Sequence, residues 1–477
     1  MLLSPSTKKQ QHTRNYWLLV IFSFLLFIYI HLPLTLRWGY NCDEILDYRG
    51  TNIARDTYLA CGRWGVVAWN SIVSDGMKPW SGGVTAGIIL SIALLIQTKI
   101  LFPKEEQIRH KFIYCTLYLA SCQFAYMLSF SMQIEGYALS VFFASLSCYL
   151  FYDCTLHSVY RYLLTAVCLI SALSCYQTSG MVFFALTCCK FMTIEQKKHP
   201  LKTLFLFAGI CLTSLSIFFL IKYLILTLHL PCNEAVEFTK AHEAYHLNTG
   251  ILGQDADISE LIMNRLVVAL QCNIYIILCA IVALGVLILR LIYAGKWVNL
   301  CTLGIALAGT LCASLLTAAN PRMYVFVPVY TSFIIVYAIS DIKWHLHPYV
   351  RMCGYALLSI FCIYAAHKVS GMALIERTHH ENCLLDKFAQ YLEARKLHSN
   401  LTDAAAKTAV NIIVFEPDWN IKAPNFYNSY PFQNFKLGTM NDYEKHKEAL
   451  QAMPSWPATG SIREHKGDII IKGTNGW

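Results

Sequence analysis

Two adjacent carboxylates, Asp43 and Glu44 in WGYNCDEIL, stand a few residues beyond the first long apolar run of the chain. A carboxylate near apolar surface loses hydration and becomes a stronger base, and transfer of a group onto a hydroxyl requires at least one such base. Alone, the pair reads equally well as two solvated charges at a helix start. Three more polar residues stand at ends of apolar segments: Glu135 in SMQIEGY, Gln177 in SCYQTSG and Arg322 in NPRMY. Polar groups at membrane depth are expensive, so several at one end of a helix bundle point to a shared cavity. The planar fork of Arg322 suits a phosphate. Lys222 could assist it or simply snorkel to the interface. A base beside a phosphate site fits a lipid-phosphate donor and an external hydroxyl acceptor. The departing phosphate is a stable anion that needs a cation, not an acid, and Arg322 is the expected cation.

These residues need a frame to hold them, and the composition says which kind. The 477 residues are 56% hydrophobic and 14% charged, with a mean hydropathy of +0.45, outside the range of soluble globular proteins. A bilayer core needs about 20 apolar residues per helix. Eleven segments qualify, near 17–36, 82–102, 112–131, 137–152, 161–178, 180–193, 203–228, 266–293, 297–318, 323–340 and 350–368. The fourth and sixth are short enough to be re-entrant. The first follows Lys8, Lys9 and Arg14 but runs for a full bilayer with no small-residue cleavage site, so it reads as an uncleaved helix.

With the N-terminus cytoplasmic, the inner connections hold 14 Lys and Arg, whereas the short outer ones hold only Arg322. The formal net charge of +9 therefore reflects orientation. Scattered over separate loops, it does not form the basic stripe of a nucleic-acid binder. The expected fold is an all-α polytopic membrane protein of about 11 helices with a small α/β domain at its C-terminus. Residues 1–370 form the transmembrane domain, with outer loops at 37–81 and 229–265, and residues 371–477 form the outer C-terminal domain.

The first outer loop reads as two short helices separated at the Gly62-Arg63 corner. Beyond it, Trp64, Val67, Ala68 and Ile72 share one face, suited either to the membrane surface or to packing over the bundle. In the tail, residues 372–398 and 441–452 read as helices, and 409–415 and 468–472 as strands. Between them EPDWNIKAPNFYNSYPFQNF is an aromatic loop of a kind that either stacks sugars or merely turns at a surface. Most of the 19 cysteines lie in apolar segments as small hydrophobic side chains. Cys42 and Cys61 share an outer loop and could pair in an oxidising compartment. His379, His380 and Glu381 are adjacent on one helix, do not share a face, and make no metal site.

The run CDEILDYRGTNIARDTYLACGRWGVVAWNSIVSDG, with its paired acids and later GRW, resembles the opening of the bacterial and phage O-antigen glucosyltransferases of the serotype-converting glucosyltransferase II type. Tyr176-Gln177 and Pro321-Arg322 resemble further motifs of that family, and the similarity spans roughly residues 15–345. The resemblance implies a GT-C class enzyme of the bacterial inner membrane, with its site on the periplasmic face. It implies undecaprenyl phosphate glucose as donor and the lipopolysaccharide O-antigen as acceptor. Carried over, it makes Asp43 or Glu44 the base of a single inverting displacement. Together with the polar residues at segment ends, Glu135 and Lys222, the motif residues Arg63, Trp64, Gln177 and Arg322 and the neighbouring Tyr324 make up the expected substrate-binding set. No cofactor is required; a divalent metal beside the paired acids is an open option with no further ligand set to support it. The alternatives are another GT-C lipid-phosphate-sugar transferase, or a lipid-sugar flippase or transporter. The latter class usually shows internal symmetry and helices broken at mid-membrane.

Overall fold

A computed structural model of the chain describes most of residues 5–36, 53–73, 79–124, 134–193, 200–240, 274–316, 326–340, 353–372, 412–415, 435–437 and 440–472. Two compact units partition the chain, Met1–Gly39 with Leu46–Glu376, and Tyr40–Ile45 with Arg377–Trp477.

The first unit is helical throughout its described residues, as a chain must be if its backbone polar groups are to be satisfied without water. Its helices are α1 (Pro5–Leu36), α2 (Ile53–Ala60), α3 (Trp64–Val73), α4 (Pro79–Leu101), α5 (Ile108–Leu119), α6 (Ile134–Tyr152) and α7 (Ser158–Cys175). There follow α8 (Gly180–Thr193), α9 (Pro200–Thr227), α10 (Ile274–Tyr293), α11 (Trp297–Leu316), α12 (Val327–Ser340) and α13 (Cys353–Met372). Each expected apolar segment overlaps one of these helices within the described residues. Among the described residues, seven stretches are long and apolar enough to cross a membrane: Thr13–His31, Gly82–Leu101, Ile134–Tyr152, Ser158–Cys175, Leu201–Thr227, Tyr275–Tyr293 and Cys353–Met372. Within the third expected segment, 112–131, α5 ends at Leu119, Ser121 Oγ bonds to the Gln123 side chain, and residues 123–124 are helical again; residues 125–131 lie outside the described ones. Local side-chain bonding of this kind competes with the helical ladder.

Helix α6 is the axis of the bundle. Its membrane stretch is 67% buried, against 17% for that of α9. The outward side chains of α9, such as Phe205, Leu212 and Phe219, suit lipid. Lipid gives helices no hydrophobic reason to associate, so close packing and polar contacts must hold them. Both are present. Gly87 admits the Phe27 ring so closely that a methyl group there would lie 2.7 Å from it. Inside the bundle the Tyr114 hydroxyl donates to Gln97 Oε1 at 2.7 Å, and Gln97 Nε2 donates to Ser145 Oγ at 3.0 Å.

The second unit is described from residue 412 onward. Strands β1 (Ile412–Phe415), β2 (Phe435–Leu437), β3 (Ile462–His465) and β4 (Asp468–Lys472) form one sheet in the order β2-β1-β4-β3, with α14 (Met440–Ala452) packed on it. β1 runs parallel to β2 and β4, while β3 and β4 form an antiparallel hairpin. The hairpin turn is Lys466-Gly467, with φ of 50° and 80°, the left-handed pair that matches strand twist. The fully buried Ile469, Ile470 and Ile471 give β4, expected as a strand, a central place in the sheet. The edge strands β2 and β3 were not anticipated. β2 has only three residues, and the polar run IREH of β3 carries no apolar signal, as edge strands often do not.

Beneath that hairpin His446 is fully buried, with Nε2 3.2 Å from Asp468 Oδ2 and Nδ1 3.0 Å from His465 Nδ1. If Nε2–H donates to Asp468, Nδ1 must accept from His465. Burial lowers the pKa of His446 below the ordinary imidazole value; the attraction of Asp468 only partly opposes this.

Candidate functional site

The site is built around the corner between α2 and α3. The Gly62 N–H donates to Leu59 O at 3.0 Å and the Arg63 N–H to Tyr58 O at 2.7 Å, with Gly62 at φ 80°. This is the Schellman end of a helix, which calls for glycine because a Cβ is penalised at that φ. Arg63 then starts α3, its carbonyl accepting from Val66 at 3.1 Å. The tight spacing of Cys61, Gly62 and Arg63 is thus set by local backbone chemistry, and it fixes where the guanidinium begins.

Three other helices close on this corner. The Arg63 guanidinium lies over the Tyr176 ring at 5.1 Å, and that ring meets Tyr137 edge-on at 4.4 Å. Gln177, in the single 3₁₀ turn after α7, donates through Nε2 to Cys61 O at 2.7 Å. From α9, Lys222 and Phe218 flank Gly62: a methyl group there would lie 3.3 Å from Lys222 Cδ and 3.0 Å from Phe218 Cζ. Gly65 presses on the end of α7 and Gly136 on Val66. One turn further along α3, Trp69 Nε1–H donates to Glu135 Oε2 at 2.5 Å.

The buried Trp64 Nε1 and Thr178 Oγ1 in this cluster have no hydrogen-bond partner among the described residues. Leaving such a group unpaired costs about 1–3 kcal/mol, so each is a natural place for a ligand atom to bond. Burial disfavours the charge of Arg63, but Tyr137, Cys61, Tyr176 and Tyr58 more than offset it and raise its pKa overall. Arg63 therefore remains a cation inside the cluster, with the ammonium group of Lys222 carried on a neighbouring helix.

Of the residues anticipated from sequence, the structure brings Arg63, Gln177 and Lys222 to one corner. Trp64 adjoins them, and Glu135 is tied to the same short helix. Asp43, Glu44, Arg322 and Tyr324 lie outside the described residues, as do Cys42, the helix expected beyond residue 372, the His379-His380-Glu381 stretch and most of the aromatic tail loop. Cys61 Sγ lies 3.6 Å from Thr239 Oγ1, and Cys42, considered as its disulfide partner, is among the residues outside the described ones. On α3, Val66 is buried against the bundle, while Ile72, on the face expected to meet either the membrane surface or the bundle, is 81% exposed. Among the described residues no group of three or more His, Cys, Asp or Glu could hold a metal.

Sequence reasoning missed Trp69, Tyr137 and Thr178. Tyr176 and Thr178 flank Gln177 in a motif already singled out, so they could have been included. Trp69 gave no local sign, because its partner is 66 residues away.

A helical bundle with several membrane-length apolar helices defines a membrane protein, and the corner adds a cationic, aromatic-lined cluster to it. The family model of the glucosyl transferase GtrII family matches residues 39–339, and the chain belongs to that family. It is accordingly a glucosyltransferase. No curated protein and no solved structure matches the chain.

Proposed function

We propose that the chain transfers glucose from undecaprenyl phosphate glucose to a sugar of the lipopolysaccharide O-antigen on the periplasmic face of the bacterial inner membrane. The observation that carries this reading is the corner cluster, where two cations and a neutral amide donor surround one turn in a member of a glucosyltransferase family. Arg63 and Lys222, with Arg322 as a third cation, stabilise the phosphate as it leaves. Gln177 holds the corner, while Trp64, Glu135 and Tyr324 contact sugar. Asp43 or Glu44 takes the proton of the acceptor hydroxyl, whose oxygen attacks the anomeric carbon as the bond to phosphate breaks, inverting the centre. Undecaprenyl phosphate departs as an anion.

The eleven-crossing topology, with the N-terminus cytoplasmic and the C-terminus periplasmic, is part of the proposal. It gains support from α1, where Lys99 and Lys111 both lie over the ring of Tyr16, at 4.7 and 5.5 Å. Three stretches that the topology assigns to the inner side therefore meet at one end of the bundle. Membrane vesicles supplied with undecaprenyl phosphate glucose and O-polysaccharide test the reaction. Wild-type protein should glucosylate the polymer, and at least one of Asp43→Asn and Glu44→Gln should abolish transfer without loss of the protein from the membrane. Full activity in both variants would refute the assignment of the base.

A further inference from the structure

Glu135 stands in the first turn of α6, where the helix dipole already favours a carboxylate. That position alone does not aim a side chain with three rotatable bonds. The Trp69 indole can, because its own orientation is fixed. The ring packs against the cluster of Val66, Leu139 and Cys175, so the N–H points in one direction and reaches Glu135 Oε2 at 2.5 Å. The other oxygen, Oε1, makes no hydrogen bond to any described residue and is not among the fully enclosed polar atoms. Glu135 is itself half-buried. A carboxylate locked at one oxygen and open at the other has the form of a sugar-hydroxyl acceptor whose orientation is settled before the sugar arrives.

We infer that Trp69 is a positioning residue of this transferase: its indole N–H holds Glu135 so that Oε1 accepts a hydroxyl of the bound sugar. The role rests on the glucosyltransferase reading given above. It gives a role to a residue that lies within the run resembling the family but was assigned none there. It also explains why α3, a short helix outside the long apolar ones, is held so closely to α6 by the Gly136 contact with Val66. The distance from α3 to the first turn of α6 decides whether the indole reaches the carboxylate.

The test uses the full-length protein in membrane vesicles with undecaprenyl phosphate glucose and O-polysaccharide, comparing Trp69→Phe, Trp69→His, Glu135→Ala and the double variants. A hydrogen bond to a charged group supports a loss of about tenfold or more in kcat/KM for Trp69→Phe. Trp69→His, which keeps a ring N–H, should recover part of that loss. In the Glu135→Ala background, Trp69→Phe should cost nothing further, because the residue it acts through is gone. A Trp69→Phe variant as active as the wild type, or one equally damaging with and without Glu135, would overturn the inference by showing a packing role only. If Trp69→Phe does not accumulate, Trp69→His and its double variant with Glu135→Ala are read by the same criterion. A wild-type protein that transfers no glucose would instead refute the functional reading, and the role of Trp69 with it.

Discussion

Gly65 is where a single methyl group should disconnect the corner from the bundle. It lies in the first turn of α3, and a Cβ there would sit 2.4 Å from Ser174 Oγ, 3.0 Å from Cys175 Sγ and 3.1 Å from the Ser174 carbonyl carbon. The first contact is about 1 Å inside ordinary van der Waals distance, and the last is to backbone that cannot rotate away. Overpacking of this kind costs about 1–3 kcal/mol, and the upper end applies because α7 cannot yield easily. Replacing glycine by alanine within a helix returns about 1 kcal/mol. The net loss is then about 2 kcal/mol, and α3 must move by a large fraction of 1 Å. That displacement carries Arg63, Trp64 and Trp69 with it, and misplacement by 1 Å can lower a rate by about 100-fold. Gly65→Ala should therefore insert and remain folded, with a modest fall in thermal midpoint in detergent and a loss of transfer of at least tenfold. Adding Ser174→Ala removes the oxygen responsible for the shortest contact, at the cost of its bond to Ser171 O, and should restore part of the activity. A fully active Gly65→Ala, or a double variant no better than the single one, would refute the packing argument.

Arg63→Lys should lower transfer by about tenfold although charge is kept, because an ammonium group cannot reproduce the stacking of a guanidinium on Tyr176; kcat/KM for the lipid donor checks this. Gln177→Ala removes the side-chain bond that holds Cys61 O and should cost about 1 kcal/mol, read as a lower thermal midpoint together with reduced kcat. Acid should loosen the C-terminal unit. His446 has a lowered pKa in the fold, so the unfolded state binds more protons as the pH falls below about 6.5. The stabilisation is complete above that value and is lost as the pH approaches the depressed pKa. Proteolysis of full-length protein between pH 7.5 and 5 should show increasing cleavage in residues 440–472, and His446→Phe should flatten the pH dependence.

The sequence was informative wherever one segment answers to its own surroundings. A run such as Gly82–Leu101 must be helical in lipid because its amides have no other partners, and the apolar DIIIK reads as a strand. The Gly62-Arg63 corner was legible for the same reason: a Schellman turn is local chemistry. The edge strand Ile462–His465 was not, since its pairing comes from Asp468–Lys472 and not from its own side chains.

For the site, sequence alone determined the residue types that could bind a phosphate and a sugar, and the family to which they belong. It identified Glu135, Gln177 and Lys222 as separate polar marks at segment ends, and Arg63 and Trp64 as part of the GRW motif. Only the tertiary structure decided that Gln177 grips Cys61 O, that Tyr176 lies beneath Arg63, and that Trp69 reaches Glu135. Periodicity and hydropathy report how one segment meets its solvent. Which side chains meet across helices depends on close approaches at Gly65 and Gly136, set by the absence of a Cβ on one helix and the shape of another.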